Sequence, residues 1–174
     1  MTALVPLADI EPQLVEALLD RAFGADRRTR TAYRIRAGAR AIPALSFAAL
    51  DDDGALLGTI QCWPVSLACD SGAEVALVMV GPVAVEPQWQ QGGIGKALMV
   101  RMIEAADAAG VEGSDALMLI GDPEYYARFF GFSAERTGGW RLPGPYEARR
   151  LLARGAGVPD CEGLVGPREL KAAA

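Results

Sequence analysis

Three glycines crowd the start of a segment with helical apolar spacing, in the stretch Gln90-Gln91-Gly92-Gly93-Ile94-Gly95. Glycine is unfavourable at a helix start unless the backbone must come close to another group. The first N–H groups of a helix lack internal partners and lie at the positive end of the helix dipole. Because glycines carry no side chain to keep an anion away, this turn predicts a phosphate or diphosphate site.

Two common phosphate-binding motifs do not match this loop. A Walker P-loop ends in Gly-Lys-Ser/Thr, whereas Gly95 and Lys96 are followed by Ala97. A dinucleotide fingerprint would place its third glycine at position 98, which is Leu98. The stretch that starts at Gln90 does match a third pattern, Q/R-x-x-G-x-G/A. On this pattern alone, a simple strand-to-helix turn without a ligand remains an alternative.

Few side chains could carry acid–base chemistry. The sequence has no histidine, which removes Ser-His and Cys-His nucleophile systems and most zinc sites. Proton transfer therefore falls to Glu, Asp, Tyr, Cys or water. The three cysteines, Cys62, Cys69 and Cys161, match no metal-ligand spacing, and their odd number argues against a disulfide framework. We therefore expect no metal site. Since the N-terminal residues also lack a secretory-signal pattern, we expect a reducing, cytoplasmic location.

The charge distribution limits the classes of partner. The chain of 174 residues has a formal net charge of −5 at pH 7, which disfavours nucleic-acid binding because phosphate backbones require basic surfaces. The lack of an apolar run of about 18 residues disfavours a membrane span. Six arginines nevertheless lie close together: Arg27, Arg28, Arg30, Arg34, Arg36 and Arg40. This cluster is either a solvated helix face or a guide for an anionic part of a substrate or cofactor.

Hydrophobic periodicity and turn residues predict the elements that must position these groups. Helices are expected at Glu11–Phe23, Arg27–Ala39, Gly93–Ala109 and Pro123–Phe130. Strands are expected at Thr2–Leu7, Ala44–Leu50, Leu56–Ala68, Glu74–Val85, Ala116–Ile120, Arg149–Ala153 and Leu164–Leu170. Pro64 suggests a bulge or an edge within its strand. The coarse order βααβββαβαββ predicts a mixed α/β domain.

The strand predicted at Glu74–Val85 carries two further signals. Its nearly continuous apolar run indicates burial on both faces, in the middle of a sheet. Gly81-Pro82 lies inside that run. Because proline cannot donate to a sheet ladder, this pair predicts a local break, with an irregular strand end as the alternative.

Two longer segments resemble the GNAT N-acetyltransferase family. One, GPVAVEPQWQQGGIGKALM, is similar to that family's strand–loop–helix block, in which Q/R-x-x-G-x-G/A is the acetyl-CoA signature. The other, LMLIGDPEYYARFFGF, is similar to the strand and short helix that follow. Together with RRTRTAYRIRAG near the N-terminus, these segments resemble in particular the YhbS-like branch of predicted acetyltransferases. The resemblance covers roughly residues 2–145 in order.

This resemblance implies a fold and a reaction. The fold would be a mixed, mostly antiparallel sheet with a splayed parallel pair at its centre, flanked by helices. One acyl-CoA N-acyltransferase domain would cover residues 1–174, with a core of about 2–145 and C-terminal strands at about 146–170. The reaction would move an acetyl group from acetyl-CoA to a primary amine of a small molecule or peptide, by direct attack in a ternary complex.

The resemblance also implies how acetyl-CoA would bind. The backbone of Val83, Ala84 and Val85 would pair with the amides of the pantetheine arm, like an added strand. The diphosphate would lie on the N–H groups of the loop, which are those of Gln91, Gly92, Gly93, Ile94, Gly95 and Lys96. The side chain of Gln90 could hold this loop by hydrogen bonds. Asp122 stands where many relatives carry an asparagine near the cofactor arm, or it is simply a helix N-cap.

For catalysis, the departing thiolate must be reprotonated. A thiol titrates near about 8.5 and a phenol near about 10, so a tyrosine hydroxyl is a credible donor. GNAT enzymes often place this tyrosine four residues before a Gly-Phe pair, but here Ala127 stands four residues before Gly131. An extra residue within 128–130 would restore Tyr126, so we expect Tyr126 as the catalytic tyrosine and Tyr125 second. Simple packing of both rings is the alternative.

The general base and the acceptor are less constrained. Glu86, which follows the expected bulged strand, is the first candidate base, and Glu74 at the start of that strand is the second. Cys62 and Cys69 could also reach the expected cleft, although buried structural thiols are the default. Many GNAT enzymes use only backbone donors and ordered water.

The expected walls of the acceptor site are Arg27–Arg40 and Trp140–Pro145, and the arginines suggest an acceptor with a carboxylate or phosphate. An unpaired edge strand could pair two chains into a homodimer. Two other functions remain open: a non-catalytic acyl-CoA-binding or regulatory module, and an acyltransferase with a longer acyl donor.

Overall fold

The computed structural model describes residues 2–169. Its helices are α1 (Pro12–Phe23), α2 (Thr31–Ile35), α3 (Ile94–Ala108) and α4 (Pro123–Phe130). Its strands are β1 (Ala3–Pro6), β2 (Phe47–Leu50), β3 (Leu56–Cys69), β4 (Glu74–Val85), β5 (Leu117–Ile120), β6 (Trp140–Arg141), β7 (Leu151–Arg154) and β8 (Gly163–Pro167). No helix in this described range is long and apolar enough to cross a membrane.

The strands form one eight-stranded sheet in the order β1-β2-β3-β4-β5-β7, with β8 paired to β3 and β6. Neighbours β1–β2, β2–β3, β3–β8 and β5–β7 are antiparallel. The pair β4–β5 is parallel, as is the short pair β6–β8. The predicted fold class, a mixed and mostly antiparallel sheet with a central parallel pair and flanking helices, is therefore confirmed.

The described residues divide into two compact units. The first contains the residues up to Arg28, Ala41–Cys62 and Val80–Gly110, and the second contains Thr29–Arg40, Trp63–Met79 and the residues from Val111 onward. In the first unit, Val15, Leu18 and Leu19 of α1 pack with Ala84 of β4. In the second, a buried cluster joins the strands and α2: Ile35, Val65, Leu67, Cys69, Leu77, Met79, Ala116, Met118, Trp140, Leu142, Leu151, Ala153, Val158 and Val165.

Most predicted elements are present with small shifts in their ends, and β4 and α4 have the predicted bounds. The two-residue strand β6 was not predicted. The end of the last predicted strand, at Leu170, lies outside the described residues. Pro64 lies between the part of β3 that pairs with β2 and the part that pairs with β8, so it is not required to donate to either ladder.

The predicted helix Arg27–Ala39 is wrong in its extent. A short 3-10 turn precedes α2, which covers five residues. The physical reason is that Arg27 turns inward: it is 1% exposed and its guanidinium binds Asp20 and Glu16 of α1. Arg36 is also buried, with its guanidinium stacked on aromatic rings. The arginine cluster is therefore not simply a solvated helix face.

The cysteine count gave a second wrong expectation. Cys69 and Cys161 form a disulfide across a sequence separation of 92, while Cys62 is free and buried. The pairing of β8 with the end of β3 brings them together, because Cys69 lies opposite Gly163. An odd count cannot show which two cysteines the sheet register will place side by side. The cytoplasmic location remains a prediction.

Candidate functional site

The position of α3 on the sheet depends on Gly58 of β3. A Cβ atom there would lie 3.0 Å from the Ala84 carbonyl oxygen, 3.0 Å from Ile94 Cγ2 and 3.2 Å from Leu98 Cδ1. Ile94 and Leu98 are buried members of the apolar stripe of α3. Because the glycine loop runs directly into α3, this close packing also fixes where the loop lies.

The glycine loop leaves the start of α3 open. Gly93 is the N-cap, with φ 82°, and no side chain caps the first turn. Such a φ favours glycine. At Gly95 the situation differs, since an added Cβ would lie 3.7 Å from Val85 Cγ2 and 3.8 Å from Val83 Cγ1, which is ordinary contact. The fold therefore needs a glycine at position 93 but not at position 95.

Several hydrogen bonds brace the approach to this loop. The side-chain Nε2 of Gln90 donates to the Val85 carbonyl at 3.4 Å, as expected for a residue that holds the loop. The Trp89 N–H donates to the Glu86 carbonyl at 2.8 Å, and the Gly92 N–H donates to the Trp89 carbonyl at 3.1 Å. The loop is thus fixed at both ends before α3 begins.

Glu86 forms a bidentate ion pair with Arg21 of α1. The two nitrogen–oxygen distances are 2.9 Å from Nε and 2.8 Å from Nη2. The hydrogen bond from Arg21 lowers the pKa of the Glu86 carboxyl below its ordinary value, and desolvation opposes this only in part. Glu86 is therefore a weaker base than an isolated glutamate. Glu74 starts β4, so the two candidate bases lie at opposite ends of one strand.

β4 has an irregular backbone at the predicted position, but the strand itself is not broken there. Gly81 has φ 117°, a backbone conformation that side-chain-bearing residues rarely adopt, and the strand continues to Val85. The parallel register with β5 is short, with Val78 opposite Leu117 and Met79 opposite Met118. β4 therefore runs on for six residues beyond its last parallel pair with β5.

The N-terminus of α4 is capped by Asp122. Its Oδ1 accepts a hydrogen bond from the Glu124 N–H at 3.0 Å, and hydrogen bonding at Glu124 lowers the pKa of the Asp122 carboxyl. The N-cap alternative for Asp122 is therefore confirmed. The role of Asp122 beside the cofactor remains a prediction.

Tyr126 is held within an aromatic group on α4. Its ring lies 6.1 Å from the Phe130 ring and 6.2 Å from the Phe132 ring, between centroids. It also covers Gly121, where an added Cβ would lie 2.5 Å from Tyr126 Cε2. Burial, and next the neighbouring Tyr125, raise the pKa of the Tyr126 hydroxyl. Tyr126 therefore keeps its proton at neutral pH.

The C-terminal turn of α4 is wider than a regular α-helical turn. The Phe132 N–H donates to the Tyr126 carbonyl at 3.2 Å, across six residues. Gly131 ends the helix with φ 73°. α4 itself is regular through Phe130, so the extra residue expected within 128–130 stays a prediction.

The thiols are not available for catalysis. Cys62 is buried, and burial raises the pKa of its thiol far above the ordinary value. Cys69 is bound in the disulfide. The structure therefore gives neither cysteine the exposed, low-pKa setting of a nucleophile.

The two predicted walls of the acceptor site meet in the second unit. The Thr31 hydroxyl donates to the Pro145 carbonyl at 2.5 Å, and Arg34 Nη1 lies 3.4 Å from the Pro143 carbonyl oxygen. An added Cβ at Gly144 would lie 2.6 Å from Thr31 Oγ1. The start of α2 and the loop at 142–145 are therefore in direct contact.

Sequence reasoning missed two arginines that hold the strands and helices in place. Arg21 binds Glu86, as described above. Arg168 donates from Nε to the Val65 carbonyl at 2.9 Å and from Nη2 to the carbonyls of Leu77 and Glu112, each at 3.0 Å. Neither arginine lies in a motif, and their partners are distant in the sequence, so no local signal could have found them.

Comparisons with known proteins indicate which family the chain resembles over most of its length. Residues 12–132 match the model of the acetyltransferase (GNAT) family. The chain is 28% identical over 135 residues to a protein named "Uncharacterized N-acetyltransferase YhbS" from Escherichia coli (strain K12), covering 77% of this chain and 76% of that protein.

Solved structures show the same fold. The crystal structure of YhbS from Escherichia coli in complex with CoA matches with a TM-score of 0.69 and 22% identity, over 98% of this chain and 89% of that one. A GNAT family acetyltransferase from Brucella melitensis in complex with acetyl-CoA matches with a TM-score of 0.65 and 25% identity, over 97% and 96%. On the family match over more than half of its length, this chain belongs to the acetyltransferase (GNAT) family.

Proposed function

We propose that this protein transfers an acetyl group from acetyl-CoA to a primary amine of a small molecule or peptide. Membership of the family supports acetyl transfer, and the CoA and acetyl-CoA complexes of the two similar structures support acetyl-CoA as the donor. The observation that carries the proposal concerns Gly95. The packing around this position would accept a side chain, so the glycine is better explained by a diphosphate that binds at the start of the helix.

In this proposal, main-chain groups hold the donor. The N–H groups from Gln91 to Lys96 bind the diphosphate, except that of Gly92, which already donates to the Trp89 carbonyl. The backbone from Val83 to Val85 pairs with the pantetheine amides. The run of β4 beyond its last parallel pair with β5 supports this pairing. Gln90 contributes by holding the loop.

The chemical step is direct. The deprotonated amine nitrogen attacks the thioester carbonyl carbon, a C–N bond forms, the C–S bond breaks, and the thiolate leaves. The Tyr126 hydroxyl donates its proton to that sulfur. Its raised pKa keeps the proton in place until the thiolate develops, although it also makes this hydroxyl a weaker acid than that of an ordinary tyrosine. Tyr125 is the second candidate donor.

The amine proton must go to a base or to water. Glu86 is the first candidate and Glu74 the second. The ion pair with Arg21 weakens the case for Glu86 as a base, because a lowered pKa reduces its proton affinity. Transfer to ordered water satisfies the proton balance without either carboxylate.

The acceptor in this proposal carries an anionic group. Arg34 is exposed on α2 beside the loop at 142–145, so it is the best placed of the clustered arginines. Primary amines with a carboxylate or phosphate should therefore react faster than neutral amines of similar size. Equal rates on both classes would contradict this assignment.

The first test is Gly95→Ala. We expect the dissociation constant for acetyl-CoA, measured by calorimetry, to rise about tenfold or more. The added methyl group would hold the diphosphate away from the backbone N–H groups, and a charge-assisted hydrogen bond is worth about 1.5–3 kcal/mol. The melting temperature should be unchanged or higher, because alanine is better than glycine within a helix by roughly 0.5–1 kcal/mol. Unchanged affinity would contradict binding at this loop.

The matched control is Gly58→Ala. Its Cβ would press on the Ala84 carbonyl and on Ile94, so it should lower the free energy of unfolding by about 1–3 kcal/mol, as overpacking does. This contrast separates loss of a ligand contact from loss of fold. Wild-type protein should also release free CoA from acetyl-CoA in the presence of a reactive amine from a broad panel.

A non-catalytic acyl-CoA-binding module is the second candidate. The position of Ala127, four residues before Gly131, favours it, because relatives often carry the tyrosine there. It predicts acetyl-CoA binding in the calorimeter with no CoA release across the amine panel. A longer acyl donor would instead appear as faster release from longer acyl-CoA thioesters.

A further inference from the structure

Trp89 is the most exposed tryptophan in the described chain. Its residue surface is 48% accessible, whereas Trp140 is 1% accessible and Trp63 is partly buried against the core of the second unit. A large aromatic side chain left half in water offers a flat apolar face to a ligand.

The ring is carried by a braced turn at the entrance of the glycine loop. The backbone of Trp89 is bound on both sides, to Glu86 and to Gly92. Glu86 is in turn held by Arg21, and Gln90 is tied to Val85. An aromatic group on a fixed turn loses little conformational entropy when a ligand stacks on it. Less of the free energy of the contact is therefore spent on ordering the side chain, and more of it contributes to affinity.

We infer that the indole of Trp89 stacks on the adenine of coenzyme A. The inference rests on the proposed function, in which the loop from Gln91 to Lys96 holds the diphosphate. In coenzyme A a single ribose joins the adenine to that diphosphate, so the base must lie just outside the loop. Trp89 precedes the loop directly and presents the π face that any purine can use.

The test compares ligands that differ in the adenine. Base–aromatic stacking corresponds to about a tenfold change in affinity. We expect Trp89→Ala to raise the dissociation constants of CoA and of dephospho-CoA about tenfold, and Trp89→Phe to retain most of the affinity. Neither variant should change the affinity for 4′-phosphopantetheine, which lacks adenosine. Leu14→Ala, which removes another exposed apolar side chain of the first unit, is the control.

A direct readout is indole fluorescence. CoA should quench the emission of the wild-type protein, and this quenching should be lost in Trp89→Phe. If wild-type protein binds CoA and Trp89→Ala binds it equally well, this inference is overturned and the proposed function stands. An equal loss of 4′-phosphopantetheine affinity would also overturn it, because the substitution would then act through the loop. If wild-type protein binds no CoA, both fail.

Discussion

Tyr126 and Glu86, which the sequence assigns to one reaction, have opposite pKa shifts in the structure. Burial raises the pKa of Tyr126, and the hydrogen bond from Arg21 lowers the pKa of Glu86. A proton donor must keep its proton at neutral pH, and a base must have affinity for one. The local environments therefore keep Tyr126 protonated, at the cost of acidity, and weaken the case for Glu86 as a base.

Replacement of Tyr126 by phenylalanine should slow turnover. We expect kcat to fall about a hundredfold, as loss of a general acid does, with the dissociation constant of acetyl-CoA nearly unchanged. Because the pKa of Tyr126 is raised, its loss of the proton should reduce wild-type activity only above about pH 10. Steady-state rates across pH and calorimetry measure both effects.

Tyr125→Phe is the matched control for that experiment, since it removes the adjacent hydroxyl from the same helix. An undiminished rate in Tyr126→Phe would remove Tyr126 from the mechanism. A slow Tyr125→Phe with a normal Tyr126→Phe would transfer the role to its neighbour.

Glu86→Gln should behave as the loss of an ion pair. We expect the free energy of unfolding to fall by at most about 1 kcal/mol at pH 7, because Arg21 is half exposed. A lowered native pKa stabilises the fold above the unfolded-state value, which is about 4.3. The advantage of wild type should therefore shrink as the pH falls below that value.

Urea unfolding from pH 7 down to well below the unfolded-state pKa of about 4.3 measures this stability difference. If the kcat of Glu86→Gln falls strongly under conditions in which the variant is still fully folded, Glu86 is the base after all. Arg21→Gln, which breaks the same pair from the other side, should match Glu86→Gln in stability and is therefore the control.

At the scale of elements, local patterns predicted β4 and α4 to the residue, because turn residues and apolar runs mark their ends. Pro123 and Gly131 mark the two ends of α4, and Gly72 and Pro87 lie two residues outside the ends of β4. The predicted helix Arg27–Ala39 failed because nothing local shows that Arg27 is bound by acidic side chains of α1. The disulfide was missed for the same reason, since it depends on the register of β3 with β8.

That disulfide should contribute to stability. By the chain-entropy account, a bridge across about ninety residues contributes up to about 4.6 kcal/mol. We expect reduction, or Cys69→Ala with Cys161→Ala, to lower the melting temperature clearly, while Cys62→Ala leaves the bridge intact. Calorimetry with and without a reductant tests this.

Thiol titration of the unreduced, denatured protein should count one free thiol, from Cys62. A count of three would show that the bridge is absent from the protein as isolated. In that case the melting temperature should not respond to a reductant.

At the scale of the whole molecule, the chain offers little for covalent catalysis. The sequence has no histidine, and in the described chain two thiols are joined while the third is buried. We expect a ternary complex, so initial-rate plots for acetyl-CoA and amine should intersect. Parallel lines would indicate an acyl-enzyme intermediate and contradict direct transfer.

The family and the fold class could be predicted from the sequence because the residues of the strand–loop–helix block are contiguous. The structure of such a block depends on local geometry, which a short window of sequence contains. It could not assign the base, because the pairing of Glu86 with Arg21 joins positions 65 residues apart. The choice of acceptor depends on loops such as 142–145. The proline-rich sequence of this loop has no hydrophobic periodicity from which its structure could be predicted. Long-range packing, absent from any short window, decides these features.

Gly58 and Gly95 would be indistinguishable in a mutational survey that scores activity alone. A side chain at either position should lower activity, although only Gly95 lies where the ligand is proposed to bind. A parallel measurement of protein abundance would separate them, since Gly58 variants should be lost from the cell and Gly95 variants should accumulate. Residues that shape a site from beneath and residues that line it can thus be sorted without a bound ligand.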